Sequence, residues 1–294
     1  MGYGLERAHE AELLIMREID RICRAHGLKY MMDSGTLLGA VRHGGFIPWD
    51  DDADVAMTRM NFEAFKRAAA KELPENMRLV LPDQYRGGKA FFDFTPRIVL
   101  LNSRMRADSG MMDFYEGKLN HLWVDIFILD RLPKCPAAAA VTKLMQKAVY
   151  GMAMGHRYEL DFGKYSLANK IFVKCLSALG RRIPMPAIFK AQEIISVKDW
   201  RARSGLWYYS NYQPDYLYVT LQAEWCEKTV DMAFEGESFM APKGWDRVLT
   251  CVYGDYMTPP PEEKRVPSHS DQDIEILPWG EDAKQPAAGE VPLG

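Results

Sequence analysis

The chain has 294 residues, 48% of them hydrophobic, which is enough to bury a large core. Its formal net charge of -3 gives no global electrostatic reason to expect a nucleic-acid partner, and the sequence shows no sign of an obligate protein partner. Five scattered cysteines without a CxxC pair argue against a disulfide framework or a zinc ribbon, and the N-terminus lacks the apolar run of an export signal, so we expect a cytoplasmic protein.

The first 130 residues predict a mixture of helices and strands. Apolar residues recur at helical spacing from Leu5 to His26, where Gly27 supplies a stop signal. A short strand at Lys29 to Asp33, a glycine turn and a helix from Leu37 to Arg42 follow. Further strands are predicted at Ala53 to Thr58, Arg78 to Leu81, Phe92 to Leu101 and His121 to Leu129.

The remaining elements divide the chain into regions. Asn61 is the predicted N-cap of a helix that runs to Glu72, and the pattern is mainly helical from Ala137 to about Lys198. We predict a catalytic core at 1–135, a mainly helical lobe for donor and acceptor specificity at 136–222, a C-terminal block that packs back on the core at 223–270 and a disordered tail at 271–294.

Four carboxylates lie within five positions, at Asp50, Asp51, Asp52 and Asp54. Along an extended chain Asp52 and Asp54 project from the same face, and such a pair attracts hard cations such as Mg²⁺ or Mn²⁺. Asp125 lies inside an apolar strand, where a carboxylate needs a partner or a metal, so it is the candidate third ligand. A solvated acidic loop with an unrelated edge-strand charge explains the spacing equally well.

A candidate phosphate site precedes the acidic cluster. Gly35 and Thr36 open a helix, and free backbone N–H groups at a helix N-terminus bind phosphate. Arg42 and His43 follow within two turns and add positive charge. The dipeptide alone is typical of an ordinary cap, but a phosphate turn close to a carboxylate pair indicates phosphoryl transfer.

The segment from Asp33 to Asp54, DSGTLLGAVRHGGFIPWDDDAD, resembles the signature of the LicD family. That family includes bacterial phosphocholine transferases and the fukutin-related proteins. Two further blocks resemble it in the same order: Val124 to Asp130, and the segments Phe234 to Gly236, Pro242 to Trp245 and Tyr253 to Met257 with Pro260, Arg265 and His269.

The resemblance implies an α+β fold, with a nucleotidyltransferase-like mixed β-sheet core flanked by helices and an appended helical lobe. It assigns metal ligation and catalysis to Asp52, Asp54 and Asp125, with Mg²⁺ or Mn²⁺ as cofactor. The donor phosphates are expected at Gly35 and Thr36, and we add Arg42, His43, Asp50 and Arg265 as supporting residues of that site.

The implied reaction is transfer of phosphocholine, or a related phospho-alcohol, from a CDP-activated donor such as CDP-choline. The acceptor is a sugar hydroxyl of a cell-surface glycan, such as lipopolysaccharide or teichoic acid, or of its lipid-linked precursor. One alternative is a nucleotidyltransferase that moves the nucleoside monophosphate itself. A catalytically silent glycan-binding protein is a third reading, against which the intact aspartates argue.

Two further segments bear on specificity and location. Choline is best bound by aromatic faces, and the aromatic run that contains Trp207 and Tyr212 is a candidate cage, although a core strand pair explains the same residues. Basic residues from Lys164 to Arg182 flank apolar ones, as in a helix that contacts a membrane at its inner face. A solvated helix face is the alternative.

Overall fold

A computed structural model describes residues 3–105, 109–164, 166–199, 205–267 and 274–278. The helices in these residues are α1 Glu6–Ala25, α2 Ser34–His43, α3 Arg59–Glu72, α4 Ser109–Phe114, α5 Pro136–Ala153, α6 Leu167–Gly180, α7 Met185–Val197, α8 Ala223–Cys226 and α9 Trp245–Tyr253. The strands are β1 Met31–Met32, β2 Ala53–Thr58, β3 Met77–Val80, β4 Arg97–Leu100, β5 Ser103–Met105, β6 Trp123–Arg131, β7 Leu206–Tyr209, β8 Leu221–Gln222, β9 Thr229–Phe234, β10 Glu237–Pro242 and β11 Ile274–Ile276.

Strand β6 is the centre of a mixed seven-stranded sheet within the described residues. Strand β2 lies parallel to it on one side, with β1 antiparallel at the edge. On the other side β4 pairs with the first part of β6 and β7 pairs with its last part, both antiparallel. The predicted combination of helices with a mixed β-sheet is therefore confirmed.

Helices α1 and α3 cover the sheet because each has one apolar face. The buried side of α1 includes Ala8, Ala11, Ile15 and Ile19, at the spacing that the sequence predicted. Helix α3 contacts α1 and lies against β2, β3 and β6. Together with the strands these helices form the main hydrophobic core.

Several predicted boundaries in the core differ from the structure: α2 begins at Ser34 and so includes Gly35 and Thr36, and two other differences have a clear local cause. Thr58, and not Asn61, is the N-cap of α3, because its hydroxyl accepts a hydrogen bond from the backbone N–H of Asn61 at 3.4 Å. Strand β4 begins at Arg97 and not at Phe92, since Pro96 has no N–H to donate to a neighbouring strand.

Helices α5, α6 and α7 lie in the range that was predicted to be mainly helical, and α5 packs against both of the others. Glycines bring α5 and α6 together: a Cβ on Gly180 would lie 1.9 Å from the carbonyl oxygen of Met152, so a larger residue would push the helices apart. Strand β7 lies in the range 136–222 that was predicted as mainly helical lobe, yet it pairs with β6 and so belongs to the main sheet. Among the described helices, none combines the length and the apolar character that a bilayer crossing needs.

The C-terminal part returns to the core. Hairpin β9–β10 lies against β1 and α2, and α9 also contacts α2. Strand β11 pairs with β5, so Ile274–Ile276 belongs to the fold although 271–294 was predicted as a disordered tail. Ile274 is buried in the main core, Ile276 packs against the core, and the backbone N–H of Leu277 donates to the carbonyl oxygen of Asn102, so this segment is held by both apolar and polar contacts.

Candidate active site

The parallel pairing of β2 with β6 places Asp54 directly beside Asp125. Asp54 is only 6% exposed, whereas Asp52, two residues earlier and just before β2, is exposed. All three predicted ligands therefore lie at the N-terminal ends of the neighbouring strands β2 and β6. This proximity depends on strand order, which the sequence did not specify.

The carboxylates of this edge repel one another. Burial raises the pKa of Asp54 well above its ordinary value, and the charges of Asp52 and Asp125 raise it further. Burial also raises the pKa of Asp50 to about 6, with the charge of Asp51 as the next cause. The cluster therefore brings several like charges close together, and this repulsion favours protonation of its buried members.

Asp125 has a protein partner that the sequence reasoning missed. Arg97 on β4 donates from Nε to Asp125 at 2.9 Å and from a terminal nitrogen to Asp93 at 2.7 Å. The guanidinium is 1% exposed and lies over the rings of Phe92 and Trp123. Burial still raises the pKa of Asp125 to about 6, against the charge of Arg97, which lowers it. The sequence feature that could have revealed this partner is Arg97 itself, a single basic residue at the start of the otherwise apolar strand β4.

The glycine turn at the start of α2 is filled by Asp50. A Cβ on Gly35 would lie 2.1 Å from a carboxylate oxygen of Asp50, so the glycine permits this close approach. The hydroxyl of Thr36 accepts a hydrogen bond from the backbone N–H of Asp54 at 2.8 Å. Both residues thus hold the acidic strand against the helix N-terminus, which adds a positioning role to the predicted phosphate role.

A pair of arginines lies around Trp49, immediately before the acidic run. The Arg42 guanidinium is 5.9 Å from the centre of the Trp49 ring and that of Arg265 is 5.2 Å from it. Each donates to a main-chain carbonyl, on Tyr256 and Pro260 respectively. Burial lowers the pKa of Arg42, and the charge of Arg265 lowers it further.

The remaining predicted histidines have different outcomes. His43 packs edge-on against Trp49 at 5.9 Å, and burial followed by the charge of Arg42 lowers the pKa of its ring. It therefore lies beside Trp49 and Arg42. His269 lies outside the described residues.

Asp33 is a second buried carboxylate at the site. It is 2% exposed and accepts a hydrogen bond at 2.8 Å from the hydroxyl of Tyr209 on β7. Burial raises the pKa of Asp33 to about 6, while the hydrogen bonds from Tyr209 and Ser34 lower it. Because Ser34 follows with a φ of +47°, the turn into α2 is strained and held by its surroundings.

The two residues of the candidate aromatic cage lie in different places. Tyr212 stacks on Tyr216 with ring centres 4.1 Å apart, and the charge of Asp54 acts on its hydroxyl. Trp207 is buried and pairs with Arg131, six residues beyond Asp125 on β6, or about 20 Å along a strand. The strand interpretation is therefore correct for Trp207, whereas Tyr212 is near the acidic cluster.

The predicted metal site is not preassembled. Among the described residues no three His, Cys, Asp or Glu side chains are placed as a set that would hold a metal ion. The oxygen-only donors at Asp52, Asp54 and Asp125 nevertheless suit a hard divalent cation, whose charge would offset their repulsion. The donor chemistry fits such an ion.

Residues 27–132 match the family described as LicD/FKTN/FKRP, nucleotidyltransferase domain. The described part of this segment includes the strained turn into α2, the acidic run and the whole of β6, so it carries the site. This match to the LicD family model agrees with the resemblance that the sequence showed.

Two relatives show how far the similarity extends. The chain is 28% identical over 283 residues, 88% of this chain and 95% of the relative, to "Lipopolysaccharide cholinephosphotransferase LicD" of Haemophilus influenzae. A 41-residue stretch, 14% of this chain and 8% of the relative, is 44% identical to human "Ribitol 5-phosphate transferase FKRP". The predicted enzyme class, a phosphotransferase, agrees with both names.

Proposed function

We propose that the protein transfers a phospho-alcohol group, phosphocholine in the first instance, from a CDP-linked donor to a hydroxyl of a glycan. The placement of Asp54 beside Asp125, with Asp52 exposed next to them, is the observation that carries this proposal. The names of the two relatives support the group transferred, and one of them supports a lipopolysaccharide acceptor.

A divalent cation, Mg²⁺ or Mn²⁺, would be held by Asp52, Asp54 and Asp125. When bound, it neutralises charge on the phosphate oxygens of the donor. Arg42 and Arg265 bind the same diphosphate from the side of Trp49, because two guanidiniums that repel each other are stabilised by an anion between them.

The protein's own residues then move one proton. A carboxylate of the acidic run accepts the proton of the acceptor hydroxyl, whose oxygen attacks the phosphorus that bears the alcohol. The bond from that phosphorus to the bridging oxygen breaks, and CMP leaves with the bonding electrons. One P–O bond forms and one breaks.

Product analysis tests this proposal against its nearest alternative. Purified protein is incubated with CDP-choline and a glycan acceptor, and the released nucleotide is measured. Release of CMP supports phospho-alcohol transfer. In a parallel incubation with CTP in place of CDP-choline, release of pyrophosphate supports the nucleotidyltransferase alternative that the family description suggests. CDP-ribitol as a second donor separates choline from polyol specificity.

The metal requirement has a separate test. Activity is expected to disappear on chelation and to return with Mg²⁺ or Mn²⁺, whereas Zn²⁺ is expected to restore it poorly because the donors are all oxygen. Full activity in excess EDTA would contradict the requirement.

We also propose that the protein works at the cytoplasmic face of a membrane, with α6 as the contact. The outer face of α6 exposes Ile171, Phe172 and Leu179, and Lys174 is exposed beside them. The sequence from residue 162 to residue 192 contains no acidic residue. An exposed apolar stripe with basic neighbours suits an anionic lipid surface, where a lipid-linked acceptor would lie.

Vesicle flotation tests the membrane contact. The protein is expected to float with phosphatidylglycerol vesicles and not with phosphatidylcholine vesicles, and the double variant Ile171→Ser, Phe172→Ser is expected to lose this binding. Met60→Ser is the matched control, since Met60 is 76% exposed on α3. Equal flotation of the double variant and the control would contradict the assignment.

A further inference from the structure

Helix α1 buries a carboxyl group that has no hydrogen bond to the part of the chain that the structure describes. Glu12 is 1% exposed, and neither of its carboxylate oxygens has a hydrogen-bond partner among the described residues. It lies on the apolar face of α1, among Ala8, Ala11 and Ile15. Burying a carboxylate without a partner costs several kcal/mol in general, so the position needs an explanation.

The carboxyl of Glu12 lies within electrostatic reach of the acidic run. The charges that act on it most strongly are those of Asp52, Asp51 and Asp50, in that order, and all are negative. One turn earlier, the ring of His9 is hydrogen-bonded through Nε2 to the carbonyl oxygen of Asp50 at 2.7 Å and stacks on Phe46. These contacts hold α1 and the acidic run together.

Neither protonation state of Glu12 is satisfied by the surrounding protein. An ionised carboxylate there lacks both a donor and a counter-charge, and a neutral carboxylic acid lacks an acceptor for its O–H. A group from outside the described residues would satisfy it. Among ligands, a cation satisfies the carboxylate and relieves its repulsion by the aspartates at the same time.

We infer that Glu12 is a further carboxylate of the cation site, and that it helps the acidic run Asp50–Asp52 to bind a divalent metal ion. The inference rests on the proposed function for the identity of the metal, Mg²⁺ or Mn²⁺. It extends the site to α1, which lies before the matched segment 27–132. Glu12 acts on the ion from the protein interior, while Asp52 is the exposed member of the run.

Binding of Mn²⁺ alone, measured by electron paramagnetic resonance, tests this inference without any turnover. Glu12→Gln keeps the shape of the side chain and removes its charge, and we expect it to weaken Mn²⁺ binding about 10- to 100-fold, as loss of a supporting carboxylate does elsewhere. Glu10→Gln is the matched control, because Glu10 is exposed on the same helix. Its affinity is expected to equal that of the wild type.

Thermal unfolding supplies a second measurement. Without metal, Glu12→Gln is expected to be at least as stable as the wild type, because repulsion by the aspartates is removed. The rise in Tm on adding Mg²⁺ is expected to be smaller in Glu12→Gln than in the wild type or in Glu10→Gln. Anomalous diffraction from wild-type crystals soaked in Mn²⁺ gives a direct test that needs no variant: the metal peak is expected to contact Glu12.

The outcomes separate this inference from the proposed function. If Asp52→Asn loses Mn²⁺ binding and Glu12→Gln binds as the wild type does, Glu12 is a buried neutral acid and the inference is overturned while the metal site stands. A metal peak that contacts aspartates alone overturns it in the same way. If the wild type binds no Mn²⁺, both the metal assignment and the inference are overturned.

Discussion

Each end of strand β6 has an aspartate paired with an arginine, but the charges around the two pairs differ. At the far end, Asp130 is 4% exposed, and Arg59 and Ser210 both donate to its carboxylate, Ser210 at 2.6 Å. At the near end, Asp125 is paired with Arg97, but other carboxylates crowd the same edge. One end has balanced charge and the other has an excess of negative charge.

The difference identifies the role of each end. The Asp130 end anchors the helical lobe: Gln192 of α7 donates to the carbonyl oxygen of Ser210 at 2.9 Å, and Gln146 of α5 donates to the hydroxyl of Tyr208 at 3.0 Å. At the Asp125 end the charges of Asp52 and Asp125 both raise the pKa of Asp54, and the proposed function places a divalent cation there. A buried Asp–Arg pair is therefore structural by itself and becomes functional through its neighbours.

The largest expected effect comes from removing the arginine at the site. Arg97→Met is expected to lower the free energy of unfolding by about 3–5 kcal/mol, because it leaves two carboxylates without their cation. Urea unfolding measures the loss. Arg59→Met, at the other end of β6, is the comparison variant, and it is expected to lose somewhat less because Arg59 is 22% exposed. Added Mg²⁺ is expected to recover stability in Arg97→Met alone, and equal recovery in both variants would contradict the proposed difference.

A second expected effect is on turnover. Asp52→Asn is expected to lower kcat about 10²- to 10³-fold, the range for loss of one preorganised electrostatic group, while the metal-free protein stays folded because Asp52 is exposed. Asp130→Asn reverses the pattern, with reduced stability and an unchanged rate per folded molecule. The assay is CMP release, with circular dichroism as the control for folding. Near-wild-type turnover by Asp52→Asn would refute its assignment as a ligand.

Asp125→Asn is expected to affect both properties, because it removes a candidate ligand and also the partner of Arg97. It therefore differs from Asp52→Asn in losing stability as well as turnover.

The pH dependence of stability tests the burial of Asp33. Its pKa is 3.8 ordinarily and about 6 in the fold, so below pH 3.8 it is protonated in both states and costs nothing. Between these values only the folded state keeps the proton, so stability falls as pH rises, by about 3 kcal/mol in all at about 1.4 kcal/mol per pKa unit.

Asp33→Asn removes this term and preserves an acceptor for Tyr209. In EDTA, the free energy of unfolding of the variant relative to that of the wild type is expected to be higher at about pH 7.5 than at about pH 4. Urea unfolding at both pH values measures this difference. A difference that does not change with pH would show that Asp33 is not a strained acid.

The smallest effect is expected where the lobe meets β6. Gln192→Met removes hydrogen bonds to Ser196 and Ser210, and is expected to cost about 1–3 kcal/mol because it leaves buried polar atoms unpaired. Mn²⁺ affinity is expected to stay at the wild-type value. Glu193→Gln, an exposed neighbour on α7, is the control. Weaker Mn²⁺ binding in Gln192→Met would mean that the two ends of β6 are not independent.

Sequence patterns predicted the elements of the core well because they are local. Strand β2 has the predicted bounds, since a continuous apolar run ends where α3 is capped. The sequence did not predict that strand β7 belongs to the main sheet. Its pairing with β6 depends on which part of a strand distant in sequence is left without a neighbour. For the same reason Trp207 was proposed for a cage that its position excludes.

The features of the candidate site also fall into those that the sequence predicted and those that only the structure shows. The sequence by itself determined the carboxylates Asp52, Asp54 and Asp125 and the glycine turn, because spacing along a strand and a matching family pattern are local properties. Only the tertiary structure decided that Arg97 pairs with Asp125, that Arg265 lies beside Arg42 and that Glu12 is buried within electrostatic reach of the acidic run. Partners far apart in sequence are set by strand order and helix packing, and the free energy of a buried charge depends on those partners rather than on its neighbours in the chain.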